Sequence, residues 1–284
     1  MNNSIFADLK KVFKSDNYLY QIIIINAVVF VLLNVILAAT PIESHPSTLR
    51  YFGLSADLNQ YFWRIWTYFS YMFTHVEFNH LFFNMLLLYM IGRIFADLYG
   101  NVRFLETYIY GGLLGGILFV ASAYVVPSMS VSHYLIGASA AVMSVVVAIG
   151  FLQPEYMLHI FTFKVPLKYV VLIAFITSTI LYLDKNTGGK IAHFGGAAYG
   201  FLFAYYLKRG TNINDPITKF FKSFTTILGP RKMKVVHKNT KFSKEKQDRV
   251  KQEEIDKILD KISKSGYDSL TKVEKDFLFK FGKK

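Results

Sequence analysis

Gly137-Ala138-Ser139-Ala140 and Ala192-His193-Phe194-Gly195-Gly196-Ala197-Ala198-Tyr199-Gly200 stand roughly fifty residues apart, each at the start of its own apolar run of membrane length. A serine and a histidine at membrane depth are costly unless they face a bundle interior or a water-filled cavity. Two of them at matching depth predict a shared site, and the fold that brings them together must be a bundle of membrane helices.

The rest of the chain agrees. Of its 284 residues 53% are hydrophobic and 17% aromatic, and the mean hydropathy is +0.32. That is more apolar side chain than one soluble core needs. There is no cysteine, which removes disulfides, thiolate metal sites and thiol nucleophiles together. Charge is concentrated at one end: residues 208–284 carry 21 Lys and Arg against 10 Asp and Glu, nearly all of the net +13. A basic segment following a membrane helix is expected to lie on an anionic lipid leaflet. No nucleic-acid fold signature accompanies it, so no nucleic-acid partner is expected.

Apolar runs occupy 18–40, 78–97, 103–126, 136–152, 166–183 and 190–207, which predicts six spanning helices. Asn26 and Asn34 in the first are expected to bond between helices. Loop lysines and arginines favour the cytoplasm. With the N-terminus inside, Arg93, Arg103, Lys164, Lys168, Lys208 and Arg209 fall inside. Lys185 and Lys190, in a short loop assigned to the outer face, are the exception. Both termini are therefore expected on the cytoplasmic side, and the membrane itself is expected to be a bacterial inner (plasma) membrane.

In this topology the second, fourth and sixth helices run the same way, and His80, Asn84, Ser139 and His193 share one depth near their outer ends. His80 and Asn84, four apart, lie on one helix face. The fourth run is only about 25 Å long against a hydrocarbon core of about 30 Å, so its start must sit below the surface. Backbone dipping to meet it must be buried in protein or line a water cavity. Gly111 and Gly115, Gly112 and Gly116, and Gly196 and Gly200 form small-residue faces that let helices approach closely. The last pair is expected to press His193 against the helix carrying Ser139.

These motifs together resemble the rhomboid family of intramembrane serine proteases. The Gly-x-Ser sequence, the Ala-His-x-x-Gly-x-x-x-Gly sequence, Trp63-Arg64 and His80-x-x-x-Asn84 occur in the family's order, over roughly residues 18–207. The resemblance implies an all-α integral membrane protein with a six-helix core. It implies a Ser139–His193 dyad without an acid, an acyl-enzyme, and an oxyanion held by the Ser139 N–H with His80 and Asn84. Gly137, Gly196 and Gly200 would support the site. The substrates would be single-pass membrane proteins cleaved near the outer face, with no cofactor and no metal. Ala140 and Met143 replace the glycine and aromatic residue more usual in the family. The alternative reading is a catalytically silent rhomboid-like protein that binds and routes membrane clients. His75 is expected to support the first external loop or the entry to the second helix. Glu106, toward the inner end of the third, is expected to be hydrogen-bonded within the bundle.

The remaining organisation follows from composition. Residues 1–17 form a short cytoplasmic segment, 18–207 the six-helix domain, 208–250 a basic linker with Pro216 and Gly229-Pro230, and 251–284 a cytoplasmic helical hairpin. In that hairpin Ile255, Ile258, Leu259 and Ile262 make one helical face. Gly266 breaks it, and Thr271 with Glu274 spells a capping box opening a second helix.

Overall fold

The computed structural model describes residues 5–41, 48–57, 63–125, 134–160, 162–180, 187–215 and 255–281. The chain divides into two compact units, 1–220 and 221–284. Most of the expected linker, with Pro216, Gly229-Pro230 and His237, lies outside the described residues, as do His45, His133, Asp184 and Lys185.

In the first unit, helix α1 (Ile5–Lys14) precedes α2 (Tyr18–Ala39), whose first turn is capped by the Asn17 side chain accepting from the Tyr20 N–H. Gln21 Nε2 donates to the carbonyls of Val12 (3.0 Å) and Ser15 (2.7 Å), tying the two helices at their corner. A short helical turn, α3 (Thr67–Ser70), and a 3₁₀ turn at Tyr71–Phe73 lead to α4 (Phe78–Tyr99) and α5 (Asn101–Val125), then α6 (Ser139–Leu152). Strands β1 (Met157–Ile160) and β2 (Phe163–Pro166) form an antiparallel hairpin pairing Met157 with Pro166 and Ile160 with Phe163. Helix α7 (Leu167–Phe175) continues as a π-helical turn (Ile176–Ile180), and α8 (Thr187–Lys208) closes the unit.

Two expectations hold only in part. The chain is mostly helical as expected, but a short 157–166 hairpin that the apolar runs did not reveal interrupts the helices. Strands of four residues are too short for alternation to register against apolar neighbours. Asn34 turns its amide to the carbonyl of Phe30, four residues back in its own helix, whereas Asn26 gives one amide hydrogen to the Ile22 carbonyl and also meets the Tyr108 side chain of α5, as expected. In an apolar surround the i−4 carbonyl is the acceptor always within reach. Of the six expected spans, α2, α4 and α5 are long and apolar enough to cross a membrane, while α6 and the 167–180 segment are apolar but short. Helix α8 has the length, but glycines, Lys190 and His193 dilute its hydropathy.

Every residue of α6 from Ala140 to Gly150 is buried. A helix apolar on all sides belongs at the centre of its bundle, and α4, α5, α7 and α8 all pack on it. Outward-facing apolar residues such as Val31, Val35, Phe83 and Ile117 remain exposed, as lipid contact requires of a membrane protein. The seam where α5, α6 and α8 meet has no room for side chains. A β-carbon at Gly196 would overlap the Ala140 carbonyl oxygen, and one at Gly200 the Ser144 carbonyl oxygen. At Gly115 it would stand 2.7 Å from the Ala192 carbonyl oxygen, and at Gly195 2.8 Å from the Gly115 Cα. Ser144 Oγ donates to the Thr107 carbonyl across the same seam at 3.0 Å.

In the second unit a helix over 255–265 ends at Gly266 (φ +78°) and is followed by α10 (Lys272–Phe281), the preceding helix counting as α9. Glu274 accepts from the Thr271 N–H at 2.7 Å and from Lys261 Nζ at 2.9 Å. These bonds hold its carboxyl down at about 2, so the charge that caps α10 persists over the whole neutral range.

Candidate active site

The loop entering α6 is fixed from several sides before it delivers Ser139. Leu135 and Leu54 exchange both backbone hydrogen bonds, at 2.8 and 3.0 Å. The Gly137 N–H donates to the Tyr71 carbonyl at 2.9 Å, and the Tyr71 hydroxyl donates to the Gly112 carbonyl at 2.5 Å. The Ala138 N–H donates to His75 Nε2 at 3.2 Å. Gly137 has φ +114°, a region that favours glycine, and a β-carbon there would come 2.5 Å from His80 Cε1. The His80 ring therefore lies directly against the turn that starts α6. Ser139 is the first residue of that helix, where backbone N–H groups have no intrahelical acceptor and the dipole favours negative charge.

The Gly196 and Gly200 contacts press α8 against α6 and bring His193 Nε2 to 2.6 Å from Ser139 Oγ. His193 Nδ1 stands 2.9 Å from the carbonyl oxygen of Ser178, in the π-helical turn. A carbonyl can only accept, so Nδ1 must carry the ring hydrogen, and the neutral ring then turns the lone pair of Nε2 toward the serine hydroxyl. A backbone carbonyl occupies the place that a carboxylate takes in a three-residue relay. The sequence offers no acid at this depth, and a peptide carbonyl leaves no trace in a side-chain pattern.

Of the other expected site residues, Asn84 lies one turn below His80 and donates Nδ2 to the His80 carbonyl at 2.8 Å, keeping a second amide hydrogen. Glu106 accepts from Asn214 Nδ2 at 3.1 Å, and Asn214 in turn accepts from the Tyr199 hydroxyl. Thr107, next to Glu106, meets Ser144 rather than the start of α6, so the carboxylate belongs to the opposite end of the seam from Ser139.

The residue undervalued by sequence is His75. It is fully buried, stands edge-on to His80 at 5.0 Å between ring centres, and holds the N–H next to Ser139. The spacing to His80 alone gave no sign of that bond. Burial, with the neighbouring His80, pushes the His75 imidazole down to about 3. The unfolded chain takes up this proton near pH 6.5 and the folded one does not. Stability is therefore intact above about pH 6.5 and falls as pH drops toward 3. Melting temperature in detergent between about pH 8 and pH 4 should fall more steeply for the native chain than for His75→Gln, whose amide oxygen still accepts the Ala138 N–H. Equal slopes would refute the assignment.

An apolar cavity of about 790 Å³ separates α7 from α6 and α8, walled by Phe151, Leu172, Phe175, Phe194 and Phe201. Its two cations, Lys168 and Lys208, both lie at one end, where α7 begins and α8 ends.

Comparison with known proteins identifies the unit that holds this geometry. A stretch of 140 residues is 28% identical to "Rhomboid protein 1, mitochondrial" of Saccharomyces cerevisiae, covering 48% of this chain and 40% of that protein. The chain thus spans less than half the length of this curated relative. Residues 238–284 match a family of unknown function (DUF6576). The rhomboid domain model matches residues 62–210, just over half of the chain and the span holding Ser139, Ser178 and His193, and the chain belongs to the rhomboid family.

Proposed function

We propose that this protein is an intramembrane serine endopeptidase that cleaves single-pass membrane proteins near the outer face through a Ser139–His193 dyad. The observation that supports the reading most is the 2.6 Å Ser139–His193 contact at the start of a buried helix, with the imidazole tautomer set by the Ser178 carbonyl. In the reaction, Ser139 Oγ attacks the scissile carbonyl carbon as its proton passes to His193 Nε2. The carbonyl oxygen becomes an oxyanion beside the N-terminal N–H groups of α6, with His80 and the free amide hydrogen of Asn84 as further donors. The C–N bond then breaks as Nε2–H protonates the leaving amine, leaving an acyl ester on Ser139. Water, deprotonated by the same imidazole, hydrolyses that ester and regenerates the hydroxyl.

The same reading takes α2, α4, α5, α6, α7 and α8 as the six spans, the short α6 and α7 being sheltered by their neighbours. It sets the residues before α2 and after α8 on the cytoplasmic side of the membrane, and the basic tail on its anionic leaflet. An extended substrate strand is needed at the serine, so cleavage should fall where a substrate helix carries small or helix-breaking residues. Purified protein in bilayers, incubated with a model single-pass substrate and read by mass spectrometry of the fragments, tests this directly. Cleavage within the outer part of the substrate span supports the reading. Substrate binding without cleavage by the folded protein would replace it with a client-binding role.

A further inference from the structure

Lys190 was expected in an outer loop, and the structure instead puts it in the first turn of α8, only 9% exposed. Its Nζ has no hydrogen-bond partner among the described residues. Three features leave this position short of negative charge. The ammonium is removed from water, it is unpaired among the described residues, and it stands at the end of a helix whose dipole already carries positive charge. The same three features make a position that an anion would complete.

The location says which anion. Lys190 precedes His193 by three residues, about 60° around the helix and about 4.5 Å toward its start. Gly188 and Gly195 face α5, against Phe119 and Gly115, while Gly196 and Gly200 face α6. By the same helical rotation Lys190 lies beyond His193 on the side turned away from α5, close enough for its charge to reach the imidazole. It is thus one turn outward of the reacting pair, and an extended strand lying across Ser139 passes it within one to three residues, at about 3.3 Å per residue.

We infer that Lys190 forms a subsite that recognises a carboxylate side chain of the substrate, an Asp or Glu close to the cleaved bond. The inference rests on the protease reading. When such a substrate docks, the carboxylate pairs with Nζ in a water-poor site, where a charge-assisted hydrogen bond is strong. Sequences lacking the acid leave the ammonium unpaired and are discriminated against.

The test uses the full-length protein in bilayers and model substrates with Asp or Asn placed in turn at each of the three positions on either side of the cleaved bond. At one position Asp is expected to raise kcat/KM about tenfold or more over Asn, mostly through KM. In Lys190→Met that ratio should fall to about one, and Lys190→Glu should favour Lys at the same position. Binding of the same substrates to Ser139→Ala protein gives a readout independent of turnover. Acid-dependent binding that Lys190→Met removes supports the subsite even if no substrate is cleaved, which would overturn the protease reading alone. Cleavage with no Asp preference at any position, or a preference that survives in Lys190→Met, overturns the subsite alone. A Lys190→Met variant that loses kcat equally on Asp and Asn substrates and shifts the pH profile also overturns it, because Lys190 would then act on His193.

Discussion

Ser139→Ala is expected to lower turnover of a single-pass substrate by at least about 10⁴-fold, to the limit of a fragment assay, while melting temperature and substrate binding persist. The substitution removes one hydroxyl from the first turn of α6 and disturbs no packing contact. His193→Ala should cost as much, since a serine without a base is as idle as a base without a serine. The informative result is the double variant. If the pair held at 2.6 Å acts as one unit, as proposed, Ser139→Ala combined with His193→Ala should be no slower than either alone. On the proposed mechanism His80→Ala removes a flanking donor rather than a reacting atom, and a loss of about 10²- to 10³-fold is expected. If Ser139→Ala still cleaves at a measurable fraction of the native rate, the nucleophile lies elsewhere.

The largest effect on stability is expected at Gly196. Valine there must displace the Ala140 carbonyl, which belongs to the backbone of the central helix and cannot swing aside like a side chain. Overpacking of this kind costs about 3 kcal/mol or more, which for a unit of this size is a fall of roughly 6–12 °C in melting temperature. Separation of α8 from α6 would also pull His193 from Ser139, so residual folded protein should be inactive. Ala198→Val, two residues along but facing the apolar cavity, is the matched control and should leave melting temperature within a few degrees. If the two variants melt alike, the tolerance of α8 for bulk does not depend on the seam.

Much of this arrangement was legible because it is written in side chains of extreme type. Glycines four apart, in segments otherwise rich in phenylalanine, valine and leucine, mark helix faces that must touch. A lone histidine in such a helix marks a depth. The helical runs at 78–97 and 103–126 correspond closely to α4 and α5 for the same reason. What escaped was everything carried by the main chain. The Ser178 carbonyl, the Tyr71 carbonyl that takes the Gly137 N–H, and the paired amides of Leu54 and Leu135 are chemically identical at every residue. His75 escaped too, because its partner is a backbone amide 63 residues away. Lys190 was misread because a lysine near a helix end ordinarily reports loop topology, and its burial depends on neighbours that a one-dimensional pattern does not contain.

The π turn ties the orientation of the His193 ring to the position of α7. Of the residues in α7, Leu167 and Val171 are buried, whereas Ile173 is 60% exposed, and the cavity lies behind the helix. That lightly seated segment nevertheless leads into the carbonyl that fixes the ring hydrogen of His193, at 2.9 Å. A displacement of under about 1 Å carries this bond out of range. The imidazole is then free to exchange tautomers, and in the other tautomer Nε2 bears a hydrogen and cannot accept the serine's. On the protease reading, the seating of this helix would therefore decide whether the serine has a base at all.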